Sequence, residues 1–124
     1  MERKNNSPRV LFAGTPSFAV PTLRLLASEF ELVAVLTSPS TRRGRKMEVQ
    51  NSEVFDACIN LMSEGILPKD FLIFTPQKLD DEFMVSIEKL KPDILVCFAY
   101  GKIFKKQFMS LFKKGGINIH PSLL

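Results

Sequence analysis

Two side chains near the end of the chain, Asn118 and His120, combine residue type and spacing in a way that suits chemistry. They stand two positions apart in the alternating segment 117–120, so on a β-strand they would project from the same face. An asparagine amide can donate to an oxygen that gains negative charge, and a histidine imidazole can move or orient a proton. The pair therefore suits acyl transfer through a tetrahedral centre. The competing interpretation is an ordinary polar histidine at the end of a strand.

A cluster of cations, Arg42, Arg43, Arg45 and Lys46, forms a second group of candidate residues. Such a run can neutralise phosphates, and Gly44 within it would keep the backbone free to adapt. A run of like charges is also typical of a plain solvated loop. The sequence alone leaves both interpretations open.

Two glycine-containing turns follow apolar segments. Tyr100 and Gly101 could place backbone groups beside a flat ligand, or could simply end a strand. The turn at Gly14 could suggest dinucleotide binding, but the G-x-G-x-x-G pattern is missing and Pro16 has no backbone donor. The second apolar run ends at Thr37 instead of at the acidic residue that would bind a ribose. Dinucleotide binding is therefore disfavoured.

The elements that must position these residues alternate between two patterns. Short apolar runs predict buried strands at residues 10–13, 32–36, 72–74, 94–99 and 117–120. Helical spacing of apolar residues predicts helices around residues 20–30, 54–62, 83–90 and 104–112. Ser17 is expected to cap the first helix, and Gly65 to end the second. The pattern predicts an α/β fold with an open, mostly parallel, Rossmann-like sheet and helices on both faces.

Length and composition are consistent with one such domain. The 124 residues are 45% hydrophobic, enough for a single core, and carry a net charge of +4. The two cysteines have neither metal-type nor redox-type spacing, which favours a reducing cytoplasm. No apolar stretch is long enough to span a membrane, and the first apolar run is too short for a secretory signal.

The segment from Asn118 to Leu124, N-I-H-P-S-L-L, resembles the central motif of the 10-formyltetrahydrofolate-dependent formyltransferases. The stretches FAGTP at 12–16 and FAVP at 18–21 are similar to the branch that acts on methionyl-tRNA, more than to the purine or sugar branches. The resemblance extends over residues 9–124 and is weakest between 47 and 74. It implies a formyltransferase-type fold, with residues 1–8 as a polar extension and 9–124 as a partial catalytic domain, incomplete at its C-terminal end.

The activity that this resemblance implies is transfer of a formyl group from 10-formyltetrahydrofolate to the amino group of methionine on initiator tRNA. Asn118 and His120 would take the family's catalytic positions, and no metal would be needed. Contacts to the folate co-substrate are expected from Tyr100, Gly101, Ser122, Leu123 and Leu124.

In the resembled family a basic loop enters the acceptor stem of tRNA, which gives Arg42, Arg43, Arg45 and Lys46 a tRNA-binding role. The family's catalytic aspartate and its C-terminal tRNA-binding domain are expected beyond residue 124, so this chain alone is expected to be inactive. The complete protein is expected to be a cytoplasmic monomer. The alternatives are another folate-dependent formyltransferase, a formyltetrahydrofolate hydrolase, or a tRNA-binding module without catalysis.

Overall fold

The computed structural model describes residues 7–120, which form a parallel sheet with helices on both faces. The strands are β1 (Arg9–Gly14), β2 (Glu31–Leu36), β3 (Thr41–Arg43), β4 (Glu48–Gln50), β5 (Leu72–Phe74), β6 (Ile94–Phe98) and β7 (Gly116–Ile119). The helices are α1 (Val20–Glu29), α2 (Glu53–Ser63), α3 (Asp81–Lys89) and α4 (Lys106–Met109).

The main sheet has the strand order β5-β2-β1-β6-β7, and each neighbouring pair is parallel. The order reverses beside β1, because the chain first builds outward through β2 and β5 and then crosses back to β6. Ligands of such sheets bind outside the carboxyl ends of the strands near this reversal. The predicted α/β class is therefore confirmed.

Alternating side chains on each strand supply two separate hydrophobic cores. Val10 and Phe12 on β1 point into the layer formed by α1 and α2, while Leu11 and Ala13 point into the layer of α3 and α4. A strand covered on both faces has no solvent-facing side, which is why β1 appears in the sequence as a continuous apolar run. On β7, Ile119 packs against the α1 and α2 layer.

Helix boundaries follow local sequence signals in most places. The Ser52 side chain caps α2 by accepting from the Phe55 backbone N–H at 3.0 Å. Gly65, which was predicted to end this helix, has a φ of +79° just beyond the helix end. The predicted cap at Ser17 is wrong. That residue begins a short 3₁₀ turn, Ser17–Ala19, and α1 starts after it without any side-chain cap.

The segment expected as an irregular basic loop is instead an antiparallel hairpin, in which β3 pairs with β4. All ten residues from 41 to 50 are exposed, so no hydrophobic pattern marks these strands in the sequence. The hairpin closes through a four-residue turn in which Gly44 and Met47 both have positive φ values, of 85° and 53°. Met47 donates its backbone N–H to the Gly44 carbonyl at 3.1 Å.

Within residues 7–120, no helix is both long enough and apolar enough to cross a membrane.

Candidate active site

The carboxyl ends of three neighbouring strands are tied together by hydroxyl groups. Thr15 follows β1, Ser38 follows β2 by two residues, and Tyr100 follows β6 by two residues. The Thr15 Oγ1 and the Ser38 Oγ lie 3.0 and 3.2 Å from the carbonyl oxygen of Tyr100, and 2.9 Å from each other. We call this group the hydroxyl clamp.

The turn after β6 has an unusual backbone conformation. Ala99 has a φ of +57° and Gly101 a φ of +101°, so the residue before Tyr100 and the residue after it both lie in the left-handed region. This conformation is disfavoured for a residue with a Cβ atom and persists where surrounding contacts hold it. The hydroxyl clamp on the intervening carbonyl is one of the contacts that hold this turn.

The Tyr100 side chain points into the protein, where it is only 1% exposed. Its ring stacks on Phe104 at 5.4 Å, and Phe104 stacks in turn on Phe108 at 5.0 Å. Burial, together with the nearby Cys97 thiol, raises the pKa of Tyr100 to about 12. Tyr100 therefore anchors the turn, and its side chain does not line the cavity next to it.

A cavity of about 370 Å³ lies between the segment that follows this turn and the last two strands of the sheet, β6 and β7. This volume falls within the range of small-molecule sites. Its walls are mostly apolar and include one aromatic ring, with Asn118 and Lys102 as the polar groups. The lining residues are Leu95, Cys97, Lys102, Ile103, Phe104, Met109, Gly116, Ile117 and Asn118.

Asn118 lies on β7 directly opposite Cys97 on β6, and both residues line the cavity. Asn118 is exposed, so its amide is accessible to a ligand. His120 is also exposed and follows β7, which ends one residue earlier than predicted, at Ile119. The structure thus places both predicted residues at one strand exit and brings the asparagine into the cavity wall.

Cys97 is a half-buried thiol beside that asparagine. Burial raises its pKa, and a hydrogen bond with the Tyr100 backbone opposes this effect only in part. A thiol held in its neutral form is a weak nucleophile. Cys97 therefore contributes shape and an apolar surface to the cavity.

A second and larger cavity, of about 490 Å³, lies on the other side of residues 102–105, against the start of α3. It shares Lys102 and Ile103 with the first cavity but does not include Asn118. The smaller cavity is the better candidate for chemistry because it alone contains a predicted catalytic residue.

The basic hairpin β3–β4 leaves the sheet just after Ser38, at the same edge as Asn118. Arg42 donates to the Met47 carbonyl at 3.2 Å, while Arg43 donates to the Asn51 carbonyl at 2.9 Å and pairs with Glu53 at 3.5 Å. These two guanidinium groups are thus partly engaged in holding the hairpin.

Arg45 and Lys46 occupy the exposed turn of the hairpin. Neither forms an ion pair with any residue between 7 and 120. Their charges are therefore available to an external anion.

The expected ligand contacts of Tyr100 and Gly101 stay a prediction, and several residues that line the cavity were not predicted from the sequence. Tyr100 and Gly101 support the turn, while the cavity wall is formed by the next three residues, 102–104. Ile103 and Phe104 are apolar, and nothing in the sequence distinguishes them from core residues. Ile103 is 89% exposed, which is unusual for an isoleucine. Contacts to the folate co-substrate were also predicted for Ser122, Leu123 and Leu124, which lie outside the described residues.

Among residues 7–120 there is no group of three or more histidine, cysteine, aspartate or glutamate side chains placed to hold a metal ion.

The sequence of this chain matches a known family of proteins. Residues 9–124 match the profile of the family described as formyl transferase. The chain is 57% identical over 116 residues to the methionyl-tRNA formyltransferase of Treponema denticola, covering 94% of this chain and 36% of that protein.

Two further relatives carry the same name. The protein from Treponema pallidum is 48% identical, with 94% of this chain and 36% of the relative covered. The protein from Borreliella afzelii is 35% identical, with 94% and 34% covered. The chain thus spans about a third of the length of the curated relatives it matches.

Proposed function

This chain belongs to the formyl transferase family, and from that premise we propose that the complete protein transfers a formyl group from 10-formyltetrahydrofolate to the amino group of methionine on initiator tRNA. The observation that carries the proposal is the position of Asn118 in the wall of an apolar cavity at the carboxyl edge of the sheet. In this proposal, residues 9–124 are the donor-binding and partly catalytic portion of the longer protein.

The volume and the apolar lining of the cavity support binding of the formyl donor. A pterin ring is flat and largely apolar on its faces, and the cavity has apolar walls with Phe104 on one side. Lys102 lines both cavities and brings a positive charge near the donor site. Its ammonium group donates to the Gln77 carbonyl at 3.1 Å on the side of the larger cavity, so it would have to leave that bond to contact an anionic part of the donor.

Asn118 would act at the formyl group itself. The amine nitrogen of methionine forms a bond to the formyl carbon, and the bond from that carbon to the donor nitrogen breaks. The amine loses a proton, and the donor nitrogen gains one. As the carbon becomes tetrahedral its oxygen gains negative charge, which an Asn118 amide donor stabilises. His120, at the same strand exit, would accept or orient the proton of the amine.

The hairpin β3–β4 would bind the tRNA backbone. Its exposed surface carries Arg42, Arg43, Arg45 and Lys46, and the hairpin starts three residues after Ser38 at the edge that contains the cavity. Phosphate contacts by such residues give affinity that falls with salt concentration. In this proposal Arg45 and Lys46 make the main contacts, because Arg42 and Arg43 also hold the hairpin together.

The catalytic part of the proposal is tested with the complete protein, 10-formyltetrahydrofolate and methionyl-tRNA. Replacing Asn118 with alanine is expected to lower kcat by about 10²- to 10³-fold, as for removal of an oxyanion donor. Asn60→Ala is the matched control, because Asn60 is an exposed asparagine on α2. A wild-type protein without formyl transfer, or an Asn118→Ala protein within about threefold of wild type, contradicts the proposal.

The nucleic-acid part is tested by the salt dependence of tRNA binding. Arg45→Ala and Lys46→Ala are each expected to reduce the slope of log affinity against log salt by about 1. Lys89→Ala is the control, since Lys89 is an exposed cation at the C-terminal end of α3. An unchanged slope in both hairpin variants would exclude the hairpin from tRNA binding.

The same assays separate the remaining alternatives. Salt-sensitive tRNA binding without formyl transfer would indicate a binding module, and consumption of the donor with water or another amine as acceptor would indicate a different branch of the family.

A further inference from the structure

The hydroxyl clamp has a position that neither catalysis nor ligand binding explains directly. Thr15 and Ser38 do not line the cavity, yet both hydroxyls contact the carbonyl oxygen of Tyr100. The two hydroxyl protons are shared among three oxygen atoms that lie within 3.2 Å of one another. Such a network holds its members in one geometry more firmly than a single bond does.

The clamp acts on the segment that joins β6 to residues 102–104 of the cavity wall. The positive φ values of Ala99 and Gly101 lie immediately before and after the clamped carbonyl. Residues 102–104, which line the cavity, follow directly. Without the two donors, the Ala99 conformation would lose the contact that offsets its backbone cost. The turn would then relax and carry Ile103 and Phe104 with it.

The clamp also reaches the base of the basic hairpin. Ser38 lies three residues before β3. On the other side of the hairpin, Ser52 hydrogen bonds to Thr37 at 2.6 Å in a buried site. The Thr15 carbonyl accepts the backbone N–H of Val54 at 3.2 Å. Thr15 is thus bonded to the turn through its side chain and to the start of α2 through its backbone.

From these contacts we infer that Thr15 and Ser38 are positioning residues that hold the cavity turn and the base of the basic hairpin in one fixed arrangement, and so set the affinity for both the formyl donor and the tRNA. This inference rests on the proposed function. It assigns no contact with either substrate to the two residues, whose effect passes through the Tyr100 carbonyl and the backbone around Ser38.

The test measures formylation by the complete protein, with the KM for 10-formyltetrahydrofolate, the KM for methionyl-tRNA and kcat determined separately. Thr15→Val, which keeps the shape and removes the hydroxyl, is expected to raise the donor KM about tenfold and the tRNA KM about threefold, because the part-buried Tyr100 carbonyl loses one of its two hydroxyl donors. The kcat is expected to stay within about twofold, since neither residue touches the reacting atoms.

A conservative variant distinguishes positioning from simple loss of fold. Thr15→Ser keeps the hydroxyl and is expected to retain both KM values within about threefold of wild type. Ser38→Ala is expected to raise the donor KM less than Thr15→Val does. The double variant is expected to raise the donor KM more than Thr15→Val does, but by less than the product of the two single effects, since the two hydroxyls share one network. If Thr15→Val does not fold, Ser38→Ala and Ser38→Thr provide the same comparison.

Ser110→Ala is the matched control, because the Ser110 hydroxyl donates to the Gln107 carbonyl at 2.6 Å on the exposed end of α4. It should leave both KM values unchanged. If the wild type is active and neither Thr15→Val nor Ser38→Ala changes the KM values, the inference about the hydroxyl clamp is overturned, while the proposed function is not. A fall in kcat without a change in KM also overturns that inference. Absence of formyl transfer in the wild type instead contradicts the proposed function.

Discussion

The ionisation of Tyr100 gives a quantitative test of whether the turn beside the cavity keeps the Tyr100 phenol buried, away from water. Burial raises the pKa of this phenol from its ordinary value of 10 to about 12. The unfolded chain releases the proton near pH 10 and the folded chain near pH 12. The contribution of the neutral, buried phenol to the free energy of unfolding is therefore complete below pH 10 and is lost as the pH rises to 12. The loss is about 1.4 kcal/mol per pH unit, on the order of 3 kcal/mol across the window.

The assay uses a property of the sequence, because the 124 residues contain one tyrosine and no tryptophan. Absorbance of the phenolate in this chain therefore reports on Tyr100 alone. We expect a midpoint near pH 12 in native buffer and near pH 10 in denaturant. Urea unfolding at pH 8 and pH 11 should show that Tyr100→Phe loses about 1.4 kcal/mol less than wild type between the two values.

The same variant gives an internal check at pH 8. The phenol oxygen finds no hydrogen-bond partner among residues 7–120, so Tyr100→Phe should be at least as stable as wild type there. The Cys58 thiol, whose pKa burial also raises to about 12, is common to both proteins and cancels in the comparison. A native midpoint near pH 10 would mean that water reaches the phenol, and would refute the burial of the Tyr100 side chain in this turn.

Three further predictions concern the scaffold around the site. Thr37→Val removes the buried partner of Ser52 and should lower the free energy of unfolding by about 1 to 3 kcal/mol, measured by urea titration; a change under about 0.5 kcal/mol would contradict it. Gly14→Ala places a Cβ atom 2.9 Å from a backbone oxygen of β6 and should cost about 2 kcal/mol or more, which an unchanged melting temperature would exclude. Burial raises the pKa of both thiols, so alkylation at pH 8 should be at least about tenfold slower than for free cysteine. Half-buried Cys97 should react before Cys58, and mass spectrometry showing the reverse order would contradict the structure.

Much of the fold could be predicted from local patterns. The central strands β1, β2 and β6 are largely buried on both faces, which leaves a continuous apolar run in the sequence. The predicted strands at 10–13, 32–36, 72–74 and 94–99 all overlap observed strands. The Ser17 cap was wrong because a 3₁₀ turn intervenes before α1, and propensity alone does not distinguish the two kinds of helix start.

The hairpin β3–β4 could not be predicted from the same signals. Its residues are exposed on both strands, so they carry no hydrophobic period. It is held by the pairing of β3 with β4, by the contacts of Arg42 and Arg43, and by the buried bond between Thr37 and Ser52 at its base. The sequence identified a basic segment with phosphate-binding potential, and the structure determined which of its cations are engaged.

The sequence by itself determined the α/β class, the edge at which the unusual residues gather, and the pair Asn118 and His120, because residue type and periodicity are local properties of the chain. Only the tertiary structure decided that Tyr100 turns inward and that Phe104 lines the cavity. It also decided that Thr15 and Ser38, 23 positions apart, meet on one carbonyl. Such contacts depend on which strands become neighbours, and strand order arises from the packing of the whole sheet.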